Sequence, residues 1–147
     1  DAQAGLILRN VVVTELSLKN HLAAHGRFDD NTHIVDLDYN VVEVDDSNED
    51  SYRAKLELIT KVVVKDGKIT VLNLKVRHLG FLAAPKLVFT TKDDFVKAVE
   101  LNGLASLVSF ARANIASITG VTFCQGNIIL PMINIFKLQQ LKEESRP

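Results

Sequence analysis

The sequence predicts an α+β fold: a four-stranded antiparallel sheet followed by a long kinked helix and a short C-terminal helix packed on one face. Three observations carry the prediction. Apolar and polar residues alternate through the first half of the chain, the period of a half-buried strand. An Asp-Gly pair, Asp66-Gly67, supplies a hairpin turn between two such runs. After Thr91 the apolar spacing changes to three and four, the period of a helix lying on a sheet.

Each element follows from its own residues. Leu8 to Leu18 and His33 to Val44 read as the first two strands. In the second, the inward set shifts from Val35, Leu37, Tyr39 and Val41 to Val42 and Val44, which predicts a bulge near Val41. Tyr52, Ala54, Leu56, Leu58, Thr60, Val62 and Val64 form one face of the third strand, with Arg53, Lys55, Glu57 and Lys61 on the other. If the second and third strands are neighbours, Asp36 and Asp38 face these basic residues. Lys65-Asp66-Gly67-Lys68 turns the chain into a fourth strand, Ile69 to about Phe81, with Leu72, Leu74 and Val76 inward. Ala83 to Thr91 is a connection. Thr91 caps a helix whose first turn holds Asp93 and Asp94, negative charge at the positive end of its dipole. Asn102-Gly103 kinks it, Leu104, Leu107, Val108, Ala111, Ile115 and Ile118 face the sheet, and Gly120 ends it. Val121 to Leu130 reads as extended, and Asn134 caps a last helix reaching about Glu144.

Composition narrows the function. At 147 residues the chain reads as a single domain, 1–147, long enough to bury a sizeable core without staples. Lys and Arg number 17 against 18 Asp and Glu, too balanced for a dedicated nucleic-acid binder. Cys124 is the sole cysteine, so no internal disulfide or cysteine-rich zinc site is expected, and a reducing, cytoplasmic compartment fits. The first residues carry no signal-peptide pattern. From Ala113 to Phe136 there is no charged residue, but Asn114, Gly120, Gln125, Gly126, Asn127, Pro131 and Asn134 interrupt the run, which argues against membrane insertion.

Catalytic and metal signatures are missing. No GxSxG elbow, HExxH helix, P-loop or GxGxxG occurs, so neither catalysis nor a cofactor is expected. His21 and His25 fall in a polar loop, and His33 and His78 read as isolated strand-edge residues. Cys124 has no neighbouring acid or histidine in sequence and reads as a small apolar side chain. Asp46, Asn48, Asp50 and Glu57 match positions of a calcium loop, but Ser51 stands where the turn requires glycine and strand alternation follows at once.

Two surfaces remain. Ala105, Ser109 and Ala116 lie on a small-residue side of the long helix, either an approach surface for a second copy or an ordinary exposed face. Leu79, Phe81, Leu82, Leu87, Val88, Phe89, Ile128, Ile129, Leu130, Met132 and Phe136 compete for one inner sheet face, so some stay uncovered as an interaction surface; seven of them, Leu79, Phe81, Leu87, Phe89, Ile129, Met132 and Phe136, cluster around the strand-four end, the connection after it and the terminal helix.

The element order and several short motifs resemble the SecB export-chaperone family. Phe110-Ala111-Arg112, Gly120 and Pro131-Met132-Ile133-Asn134 are similar to the family's Tyr-Ala-Arg, Gly and Pro-x-Ile/Val-Asn positions, and Gly80-Phe81 to its Gly-Ile-Phe. The family's prolines before Tyr-Ala-Arg are absent from Leu104 to Ser109, and its basic, glycine-rich tail is absent after Lys142. The resemblance implies a homotetramer that holds unfolded polypeptide clients without ATP, with export machinery as a further partner and the seven apolar residues as client surface. A preprotein or a dedicated client such as an antitoxin fits equally. The alternatives are a structural or regulatory α+β module with one folded partner, and a small-ligand enzyme or carrier using the concave sheet.

Overall fold

The computed structural model describes residues 5–21, 31–122, 128–131 and 133–146. Four strands, β1 (Ile7–Asn20), β2 (Asn31–Asp45), β3 (Ser51–Asp66) and β4 (Ile69–Pro85), form one antiparallel sheet in the order β1-β4-β3-β2, which leaves β1 and β2 as edges. The period-two pattern sets the register: in β3 and β4 the residues from Ala54 to Val64 and Leu72 to Val76 that point to the helices are buried. Gly67, at φ 59°, makes the turn that Asp-Gly predicts. The bulge in β2 lies between Val41 and Glu43, so Val42 is the extra, exposed residue and Val44 returns to the inner face opposite Ala54.

Thr91 caps α1 (Lys92–Ala98), its hydroxyl accepting from the Asp94 N–H. The predicted kink is a π-helical turn, Val99–Gly103, that leads into α2 (Leu104–Thr122). A side chain at Gly103 would come within 2.6 Å of Leu82, so glycine lets the turn rest directly on β4. Leu104, Leu107, Val108, Ala111 and Ile115 are buried against the sheet, with Phe95 stacked on Tyr52 at 5.1 Å. Asn134 caps α3 (Ile135–Glu144) by accepting from the Lys137 N–H. No helix among the described residues is long and apolar enough to cross a membrane.

Four expectations need correction. β4 continues through Pro85, because Leu82, Ala83 and Ala84 are buried and pair with β1 and β3. α2 passes Gly120 to Thr122, and Thr119 ties the turn to the next segment by donating to Ile115 O and accepting from the Ile128 N–H. Val121 and Thr122 are therefore helical, not extended, and residues 128–131 have no regular structure. His78 lies in the central strand β4 and is fully buried, not at an edge. Asn114 Nδ2 approaches His78 Nε2 at 2.8 Å, and Nδ1 has no partner among the described residues. Burial holds the imidazole pKa below its ordinary value. His25 and Cys124 lie outside the described residues.

Charge pairing across β2 and β3 takes a different form from the expected one. Asp36 stands opposite Lys61 in register, but the close pair is Lys55–Glu43 at 2.7 Å, and Asp38 is taken by a lysine of α3. Glu57 of the calcium-like pattern sits in mid-strand and binds Arg77 at 3.1 Å, turned away from the Asp46–Asp50 loop.

Candidate functional site

On the helix side, an open groove of about 610 Å³ lies between the edge strand β2 and α3. Val35 and Leu37 of β2, with Pro131, Ile133, Leu138 and Leu141, give it an apolar wall, and Asp36, Asp38, Lys137 and Lys142 form its rim. Its walls arise from two periods: two in β2, which turns Val35, Leu37 and Tyr39 to one side, and three in α3, which aligns Leu138 with Leu141.

Lys142 fixes how α3 meets the strand. Its ammonium donates to Asp38 Oδ1 at 2.9 Å, to Asn40 Oδ1 at 3.0 Å and to the Tyr39 carbonyl, and it lies 4.8 Å from the centre of the Tyr39 ring. The Tyr39 N–H donates to Asp38 Oδ1 at 2.8 Å. Both backbone groups of Tyr39 thus point off the sheet edge and are already satisfied. Backbone direction alternates along a strand, so the N–H and C=O of Val35 and Leu37 point off the same edge, beside the groove. Burial, followed by the Glu100 charge, pushes the Tyr39 phenol up, so it stays neutral.

α3 itself is lightly anchored. It has no fully buried residue; Ile135 and Leu138 are half-buried against the core, and Gln139 Nε2 donates to Glu100 O at 2.7 Å. The segment before it is pinned by Arg112, whose guanidinium donates to Leu130 O at 3.2 Å and Pro131 O at 2.9 Å. The Phe110-Ala111-Arg112 and Pro131-to-Asn134 motifs are therefore joined physically, the first holding the backbone of the second.

The seven apolar candidates do not form one surface. Leu79 and Phe81 lie on the sheet face opposite the helices, because in β4 they alternate with His78, Gly80 and Leu82 of the buried side. Leu87 is fully exposed in the turn after β4, whereas Phe89 packs edge-on against Phe95 at 5.9 Å. Ile129 and Phe136 are each 70% exposed near the start of α3, and Met132 lies outside the described residues. None of the six described candidates lines the groove. Its lining residues carried a signal in sequence: Val35 and Leu37 as an inward pair, Leu138 and Leu141 by helical spacing. Lys142 carried none.

Ala105 and Ser109 are exposed on α2 and Ala116 is half-buried. Ser109 Oγ donates back to Ala105 O at 3.2 Å, which keeps its hydroxyl close to the helix surface. Phe110, 49% exposed, lies about 100° further round the helix than Ser109, outside the small-residue side.

No family model matches the sequence, and no curated protein matches it. Among solved structures, the Mycobacterium tuberculosis Rv1957 SecB-like chaperone, in complex with a ChAD peptide from the Rv1956 HigA1 antitoxin, superposes with a TM-score of 0.65 at 11% identity, covering 88% of this chain and 92% of that one. A Streptococcus agalactiae protein of unknown function covers 86% of this chain and 97% of its own at 9% identity, with a TM-score of 0.42 that is too low to bear on function. Strand order, the helical layer on one face and the separate terminal helix together give this chain the SecB-like fold.

Proposed function

We propose that this chain is an ATP-independent chaperone that holds extended, non-native polypeptide segments in the groove between β2 and α3. The observation that carries the reading is the apolar groove beside the open edge of Val35 and Leu37. Backbone groups on the edge bind a strand without regard to its sequence, and the apolar wall takes alternate side chains, a combination suited to varied clients. Affinity comes from dispersed burial, at about 25 cal/mol per Å² of apolar area before ordering costs are subtracted. Lys142 and Asp38 close the edge at Tyr39, which sets one end of the added strand.

The reading extends to an assembly and a setting. A homotetramer in the cytoplasm would offer several grooves to one long client, raising retention through linked binding. The exposed small residues of α2, Ala105 and Ser109, support self-association. The antitoxin peptide held by Rv1957 supports polypeptide clients, either a dedicated antitoxin or a preprotein passed to export machinery. The reading requires no catalysis and no cofactor.

The test is aggregation of a chemically unfolded reporter protein diluted into buffer without nucleotide. Suppression by the purified chain at near-stoichiometric ratio is the expected result. Unimpeded aggregation of several unrelated reporters contradicts the reading and favours a module for one folded partner.

A further inference from the structure

The sheet face opposite the helices holds a second concavity, distinct from the groove. Most charges on that face are paired: Arg77 binds Glu15 at 2.6 Å and Glu57 at 3.1 Å, and Lys75 approaches Glu15 at 3.4 Å. Two residues beyond Leu79 the pattern changes. Both edge strands carry a bulge at one level of the sheet, β1 between Leu8 and Asn10, opposite Leu82 and Phe81, and β2 between Val41 and Glu43, opposite Leu56 and Lys55. Lys55 and Phe81 are themselves register partners, so the two bulges flank one transverse row. A bulge bends and twists its strand, and two at the same level curl this end of the sheet. The result is a pocket of about 380 Å³ lined by Arg9, Glu43, Asp45, Arg53, Lys55 and Phe81.

Its chemistry is that of an apolar floor within a lining of three cations, Arg9, Arg53 and Lys55, and two carboxylates, Glu43 and Asp45. The Phe81 ring forms the floor, with the Lys55 ammonium 5.9 Å from its centre. Lys55 is neutralised by Glu43 at 2.7 Å. Asp45 stands opposite Arg53 in register without closing to an ion pair among the described residues, and hydrogen bonds from Ser47, with a smaller effect of the Arg53 charge, hold its carboxyl below the usual range. Arg9, carried on the β1 bulge, has no carboxylate within ion-pair distance among the described residues. The volume suits a small molecule, and a planar guanidinium binds a carboxylate through two parallel hydrogen bonds. We infer that this pocket binds a small apolar monoanion, an aromatic or aliphatic carboxylate, with its hydrocarbon on Phe81 and its carboxylate on Arg9. A net lining charge of +1, three cations against two carboxylates, favours a monoanion over a phosphate and disfavours a cation.

The test titrates indole-3-acetate and its uncharged analogue indole-3-acetamide into ¹⁵N-labelled protein at millimolar concentration. Saturable shifts at the amides of Arg9, Arg53, Lys55 and Ala83, with the acetamide about fivefold weaker, are expected for one solvent-facing charge pair. Arg9→Gln is exposed and should keep the thermal midpoint while reducing acetate binding to the acetamide level. Equal binding of the two probes, absence of saturable shifts, or shifts confined to Val35, Leu37 and Leu138 overturns the proposal. The last outcome would leave the groove reading intact, since the two sites lie on opposite faces.

Discussion

Replacing Lys142 with Met removes an ammonium and keeps most of the hydrocarbon stem that packs on the Tyr39 ring. Three acceptors lose the ammonium as a donor, Asp38 Oδ1, Asn40 Oδ1 and the Tyr39 carbonyl, of which Asp38 Oδ1 keeps the Tyr39 N–H. Hydrogen bonds involving a charged group contribute about 1.5–3 kcal/mol. The Asp38 side chain is 59% exposed, so that pair is screened, and the lower part of the range, about 1.5–2 kcal/mol, is the expected loss. α3 has no fully buried residue, only Ile135 and Leu138 half-buried against the core, so this contact is a large share of what resists its local opening. At 1.4 kcal/mol per factor of ten, α3 amides in Lys142→Met should exchange about 10- to 30-fold faster by hydrogen–deuterium exchange. Amides of β3 and β4, which open with the core, should be unchanged. Unaltered protection of α3 would show that Lys142 does not hold the helix, and the reasoning about the closed end of the β2 edge would fail with it.

Stability should fall as pH drops below the ordinary histidine value of 6.5, because the unfolded chain then takes a proton on His78 that the buried ring resists until its own lower pKa is reached. The contribution is complete above pH 6.5, and His78→Gln should flatten this part of a urea-midpoint profile relative to wild type; parallel profiles would contradict it. Phe95→Ala should cost about 3–5 kcal/mol in urea unfolding because the ring is fully buried, whereas Phe81→Ala, on the open face, should cost less than about 1.5 kcal/mol. Ser109→Arg and Ala116→Glu should lower the mass measured by light scattering; a wild-type monomer at micromolar concentration would remove this face as an oligomer contact.

Where one side chain follows another at a fixed period, the fold was legible. Tyr52 to Val64 alternate because one sheet face is covered and the other is not, and the phase change near Val41 marked a bulge that the register contains. Thr91 and Asn134 were readable as caps because their oxygens serve N–H groups only three residues away. Gly120 misled because a glycine stops a helix only when the following residues leave it, and here Thr119 accepts from Ile128 across the turn. The site was less legible because it joins distant segments. Phe81 and Phe136 are both apolar and outside the buried core, but one faces away from the helices and the other rides on α3, a distinction set by strand parity and docking. Nothing near Lys142 in sequence points to Tyr39, about a hundred residues earlier; the contact exists because α3 returns to the β2 edge.

Methyl-labelled protein bound to an unfolded, unlabelled polypeptide gives the most direct view of whether the groove is the client site, because five of its wall residues, Val35, Leu37, Ile133, Leu138 and Leu141, carry methyl groups. Binding in the groove predicts that these methyls shift and broaden together as client is added, while Ile59, Val63 and Leu79 on the opposite sheet face stay unperturbed. Client-dependent shifts confined to that opposite face, or none at all with the reporter bound, would contradict it.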